Sequence, residues 1–185
     1  MRLTGFLLIA VLVLGPSRSW AEEDLAKLSG YVDFSSLGLS KKSESSVEVY
    51  LKGPLLKLVS EASRDEDPEL GRMLAKLKLI RVEVFPLSSQ EREQVEAQVA
   101  QTTQRLEQQG WEKVVRVREA DEQTRIYLKT EGEVITGLLV VTIEAKEGLT
   151  FVNLVGDIDP SELGRLGGKF NIPPLDSMRA DEGRQ

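Results

Sequence analysis

Carboxylates are the acid–base groups this chain has in number: 30 Asp and Glu side chains, with no histidine and no cysteine. Asp157-Ile158-Asp159 sets two of them one residue apart at a predicted strand end, a spacing that can hold a hard cation such as Mg²⁺ or Ca²⁺. Asp159 also has a sufficient task as the cap of a following helix. Asp65-Glu66-Asp67 is a second acidic cluster, but it lacks the spaced oxygen ligands of an EF-hand loop, and Asp67 precedes a helix it can cap. The absence of His and Cys excludes disulfides, thiolate or imidazole zinc sites, cysteine nucleophiles and imidazole catalysis. No S-x-x-K, G-x-S-x-G, P-loop or G-x-G-x-x-G motif occurs. Gly164, Gly167 and Gly168 close a predicted helix, whereas a phosphate cradle would open one. The expectation is therefore a protein that is not an enzyme and binds no metal or cofactor. The alternative is a carboxylate-dependent hydrolase using Asp157, Asp159 or a neighbouring Glu, with or without a divalent cation.

The elements that would position these residues follow from periodicity. Val47, Val49 and Leu51 alternate with Glu48 and Tyr50, a half-buried strand. Gly53-Pro54 ends it and opens a helix in which Leu55, Leu58, Val59 and Ala62 are expected to share the buried face. Asp67-Pro68-Glu69 starts a second helix, with the stripe Leu70, Met73, Leu74 and Leu77. A strand over 79–85 ends at Pro86. Ser88 to Glu91 is a capping-box pattern, and the helix behind it carries Val95, Val99, Thr102 and Leu106. Four strands follow, over 113–118, 124–130, 134–145 and 149–158, joined by short polar turns that demand antiparallel neighbours. The third of them is apolar on both faces, at Leu138 and Val140 and at Leu139 and Val141, as a central strand is. A last helix is expected from Asp159-Pro160 to about Gly167. The class is α+β: a mostly antiparallel sheet of about six strands with helices packed on one face, in the order β-α-α-β-α-β-β-β-β-α.

Alternation then yields the opposite sheet face, expected to be open. It collects Tyr50, Arg81, Phe85, Arg116, Arg118, Arg125, Tyr127 and Lys129, together with Glu48, Glu83, Thr142 and Asn153. Such a face is either solvated, with cross-strand ion pairs, or a binding face for an anionic or peptide partner or a second copy of the domain.

Met1 to Ala21 reads as a secretory signal peptide, with Arg2 as its positive end, the apolar run Phe6–Leu14 and the small residues Ser19 and Ala21 before the cleavage point. The run is too short to span a hydrocarbon core of roughly 30 Å. No later segment approaches a membrane-spanning length, so the expectation is an exported protein, periplasmic or secreted, soluble after cleavage near Ala21. Loss of Arg2 and Arg18 leaves 22 basic against 30 acidic side chains, a net charge of −8. That balance argues against a nucleic-acid partner. The expected organisation is a signal peptide at 1–21, an irregular segment at 22–46 whose aromatics cap the core, a single α+β domain at 47–172 and a mobile polar tail at 173–185.

Several stretches occur in a particular order: Gly30-Tyr31-Val32-Asp33-Phe34, Leu51-Lys52-Gly53-Pro54-Leu55-Leu56, Asp65 to Leu70, Gly110-Trp111-Glu112-Lys113-Val114-Val115, and Phe151 to Pro160. Over about residues 30–172 the chain resembles the exported bacterial family catalogued as domain of unknown function 4252. The resemblance implies an envelope protein, with no established catalytic residues to carry over, and a part in envelope signalling or stress response. Together with the residues, it leads us to expect a non-enzymatic interaction module working through the sheet face or the sheet's edges, with a protein partner in the envelope or self-association. A carrier holding a small apolar ligand between sheet and helices is a further alternative.

Overall fold

The computed structural model describes residues 26–34, 47–145 and 148–160. The expected signal peptide, the expected polar tail and all but the start of the expected last helix lie outside them. Strand β1 (Val47–Lys52) leads through Gly53, whose φ of +50° suits a residue without a Cβ, into α1 (Gly53–Ser63). Helix α2 (Pro68–Lys76) begins as its sequence dictates: the Asp67 carboxylate accepts from the backbone N–H groups of Glu69 at 3.1 Å and Leu70 at 3.0 Å. After β2 (Leu77–Phe85), helix α3 (Ser89–Gln108) starts at the capping box, where the Glu91 carboxylate accepts from the Ser88 backbone N–H at 3.1 Å and its hydroxyl at 2.6 Å. Then come β3 (Trp111–Arg118), β4 (Glu122–Glu131), β5 (Val134–Glu144) and β6 (Gly148–Ile158).

The six strands form one antiparallel sheet in the order β1-β2-β6-β5-β4-β3. Strands β5 and β6 are central, as the two-sided apolar pattern of β5 requires, and β1 and β3 are the edges. The class is thus α+β with an antiparallel sheet.

The helices, however, divide between the two faces instead of sharing one. Leu56 of α1 and Met73 and Leu74 of α2 pack with Ile126, Leu138, Val140 and Leu154. Val95, Val99 and Leu106 of α3 pack on the other side with Tyr127, Leu139, Val141 and Phe151. Neighbouring residues on one strand point to opposite faces, so Leu138 and Leu139 report two separate cores. Both faces of the central strands are apolar and both need cover. Periodicity shows which residues alternate but not the side on which a connection crosses.

Two helix faces also depart from expectation. In α1 the buried positions are Leu56 and Ser60, with Val59 half-buried, while Leu55, Leu58 and Ala62 stand in solvent. In α3 the buried threonine is Thr103, not Thr102.

Candidate functional site

The strand register brings all eight predicted binding residues to one face. Tyr50 lies opposite Arg81, Arg81 opposite Asn153, Phe85 opposite Leu149, Tyr127 opposite Leu139, and Arg125 and Lys129 opposite Arg116 and Trp111. Arg118 lies opposite Gln123 on the same side. Thr142 belongs to the other face, opposite Thr124 and Thr150. The face is not open, because α3 and residues 26–34 cover it. Phe85 and Tyr127 are core side chains, 3% and 0% exposed, and Arg125 is buried at 9%. Tyr50, Arg81 and Lys129 are half-buried, and of the eight only Arg116 and Arg118 are exposed, on the edge strand β3.

Residues 26–34 act as a strap. The strap carries no strand pairing, so its backbone polar groups need other partners, and Asn153 supplies them. The Asn153 side chain, wholly buried, accepts from the Val32 N–H at 3.0 Å and donates to the Gly30 carbonyl at 3.0 Å and the Leu138 carbonyl at 3.1 Å. Phe34 stacks on Phe151, with ring centroids 4.3 Å apart. The strap crosses β5 where glycine meets glycine: a Cβ on Gly137 would come within 2.5 Å of the Gly30 Cα and 2.8 Å of Trp111 Cη2. Two of the stretches that carry the resemblance, Gly30–Phe34 and Phe151–Pro160, are thus brought into contact. An amide inside the apolar run Phe151–Val155 was the sequence signal for this contact, and alternation placed Asn153 on the right face without giving it a role.

Arg81 and Glu83 sit beside the strap, their side chains 12% and 8% exposed and in direct contact. Arg81 Nη1 donates to the Tyr31 hydroxyl at 3.0 Å, and the guanidinium lies 5.5 Å from the Phe34 ring centroid and 5.8 Å from that of Tyr50. Burial opposes the Arg81 charge, but Glu83, aided by Tyr31 and Glu48, outweighs it and raises the arginine's pKa. Burial pushes the Glu83 carboxyl up; Arg81 pulls it down, and Glu48 and Asp33 add to the rise. This cluster fastens the strap to the sheet.

The acids expected to offer chemistry lie elsewhere. A pocket of about 340 Å³ is lined by Asp157 and Glu131, and also by Lys27, Lys76 and Lys78. Asp159 does not line it. No group of three or more Asp or Glu side chains able to hold a metal ion is found among the described residues.

A family model described as a domain of unknown function, DUF4252, matches residues 40–166, from before β1 to beyond β6. The chain belongs to the DUF4252 family. The match begins after the strap, so Gly30–Phe34 lie outside it. No curated protein and no solved structure matches the chain.

The DUF4252 domain shows its most apolar surface at one sheet edge. Among the described residues β1 has no strand on its outer side, and Val47 and Val49 are 57% and 39% exposed. Leu55 and Leu58 of α1 are 48% and 61% exposed beside it. Ser60 marks the flank of α1 that meets α2, by donating from its hydroxyl to the Gly71 carbonyl at 2.8 Å. At about 100° per residue, Leu55, Leu58 and Ala62 lie roughly on the opposite flank. Helix α2 touches β6 while α1 touches β1 and β2, so that flank faces the β1 edge. Leu55 and Leu58 do not stand out from the sequence as surface, because Leu55-Leu56 and Leu58-Val59 allow two helix faces equally well.

Proposed function

We propose that this protein is an exported, non-enzymatic interaction module of the bacterial envelope, and that it engages a protein partner through the β1 edge and the flank of α1 beside it. The observation that supports this is the coincidence of a strand edge that has no neighbouring strand among the described residues with exposed Val47, Val49, Leu55 and Leu58. A strand edge offers a row of backbone donors and acceptors, and apolar side chains beside it add area, which is the recipe for strand addition. The sequence-level leader at Met1–Ala21 supports export. The family resemblance supports a part in envelope signalling or stress response.

The catalytic alternative has less support. The carboxyl pushed upward, Glu83, is held by Arg81 under the strap, whereas the pocket that contains Asp157 is lined by three lysines. Among the described residues, an acid with a shifted pKa and a cleft that admits substrate do not coincide. The space between sheet and helices, where an apolar ligand would sit, is filled by two packed clusters.

Crosslinking in the cell envelope followed by pull-down tests the proposal. V49K/L58E is expected to lose the proteins captured by the unmodified chain, and R116E/R118E to keep them. Unchanged capture by V49K/L58E overturns this reading.

A further inference from the structure

We infer that the partner at this edge is a second copy of the same chain, joined β1 to β1 as antiparallel strands about a twofold axis at Tyr50. The inference rests on the interaction reading above and names its partner. A twofold contact uses the same patch on both copies, so the patch must complement itself. Glu48, Tyr50 and Lys52 share one face of β1, because Glu48 and Tyr50 pair with Glu83 and Arg81 and alternation carries Lys52 to the same side. With the axis at Tyr50, Glu48 of one copy lies opposite Lys52 of the other, twice by symmetry. On the other face Val49 lies opposite Leu51. An axis at Val49 sets Glu48 against Tyr50, an axis at Leu51 sets Lys52 against Tyr50, and an axis midway between Val49 and Tyr50 sets both charges against apolar residues. Opposite charges directly across an antiparallel pair stabilise it and like charges destabilise it, so charge selects the Tyr50 register.

The second layer agrees. The axis of an antiparallel strand pair runs through the sheet, so both α1 helices stand on the same face, one on each side of the seam. The flank of α1 carrying Leu55, Leu58 and Ala62 faces that seam. Joining the edges turns two six-stranded sheets into one continuous sheet. The other edge cannot do the same: β3 carries Lys113, Arg116 and Arg118 on one face and is bulged between Lys113 and Val115.

The test is sedimentation equilibrium and native mass spectrometry on the purified chain and on E48K and K52E. The unmodified chain is expected to form dimers. Each variant alone sets like charges opposite one another and is expected to weaken its own dimer about tenfold. An equimolar mixture is expected to form the mixed dimer, because the E48K chain is positive at both positions and the K52E chain negative at both. This recovery also shows that the variants fold. A chain that stays monomeric, or a mixture that gains no mixed dimer, overturns the inference. If the chain is monomeric and V49K/L58E still abolishes capture from the envelope, the edge serves a different protein and only the self-pairing fails. If capture is also unchanged, both readings fall.

Discussion

At one edge of the sheet, β3 presents Lys113, Arg116 and Arg118, bulges beside Val114 and is tied to the rest of the fold. Trp111 at its start is buried at 4% exposure, and Lys113 reaches Glu107 of α3 at 2.7 Å while lying over the Tyr127 ring at 5.5 Å. At the other edge, β1 runs six residues in unbroken register with β2 and leaves Val47 and Val49 in solvent. Clustered charge and a bulge are among the means by which a sheet edge is kept from pairing with another chain. The β3 edge has both, with three cations on one face. Arg116 and Arg118, which the sequence places on a binding face, instead lie on a bulged edge strand, whereas β1 has no bulge and exposes Val47 and Val49 on one face beside Glu48 and Lys52 on the other.

The contrast predicts unequal consequences for stability. W111A removes a buried aromatic from between β3, Gly137 and the core, and is expected to cost about 3–5 kcal/mol in urea unfolding. V47A, at the opposite edge, is expected to stay within about 0.5 kcal/mol of the unmodified chain, as substitutions of exposed residues generally do. Equal losses at the two positions would mean that the edges do not differ as described.

A smaller effect sharpens the picture at the inner side of β1, where Glu48 and Tyr50 pair with Glu83 and Arg81. A carboxyl raised in the folded state binds protons there that the unfolded chain has released. Its contribution to stability is therefore full below the ordinary Glu pKa of about 4.3 and is lost as pH rises through the raised value. E83Q is expected to remove that downward component from stability measured across this window. A profile with unchanged slope would show that the raised carboxyl is not Glu83. Breaking the contact with Arg81 is also expected to lower stability at neutral pH.

Much of the fold was legible locally. Asp67 and Ser88 sit at helix starts because their side chains compensate backbone groups within three residues, and such chemistry is written in short motifs. The two-sided apolar pattern of β5 marked a central strand. Alternation also gathered Tyr50, Arg81, Arg116, Arg125 and Tyr127 correctly on one face. What escaped were facts of long range. Val32 and Asn153, 121 residues apart, meet through one amide that no local pattern announces. The side of the sheet crossed by α3 is a property of the connection and leaves no trace in the periodicity of either helix or strand. Whether Leu55 or Leu56 turns inward depends on where α2 docks, since both choices leave an apolar stripe.

The native chain has no cysteine, which permits a direct measurement of the β1 seam. With the axis at Tyr50, the Cα atoms of the two copies of residue 50 stand about 4.5–5.5 Å apart, within the reach of a disulfide. Y50C is expected to give a covalent dimer on mild oxidation, seen on a non-reducing gel and reversed by reductant, whereas R116C on β3 is expected to remain monomeric. Crosslinking of Y50C no greater than that of R116C would contradict the account.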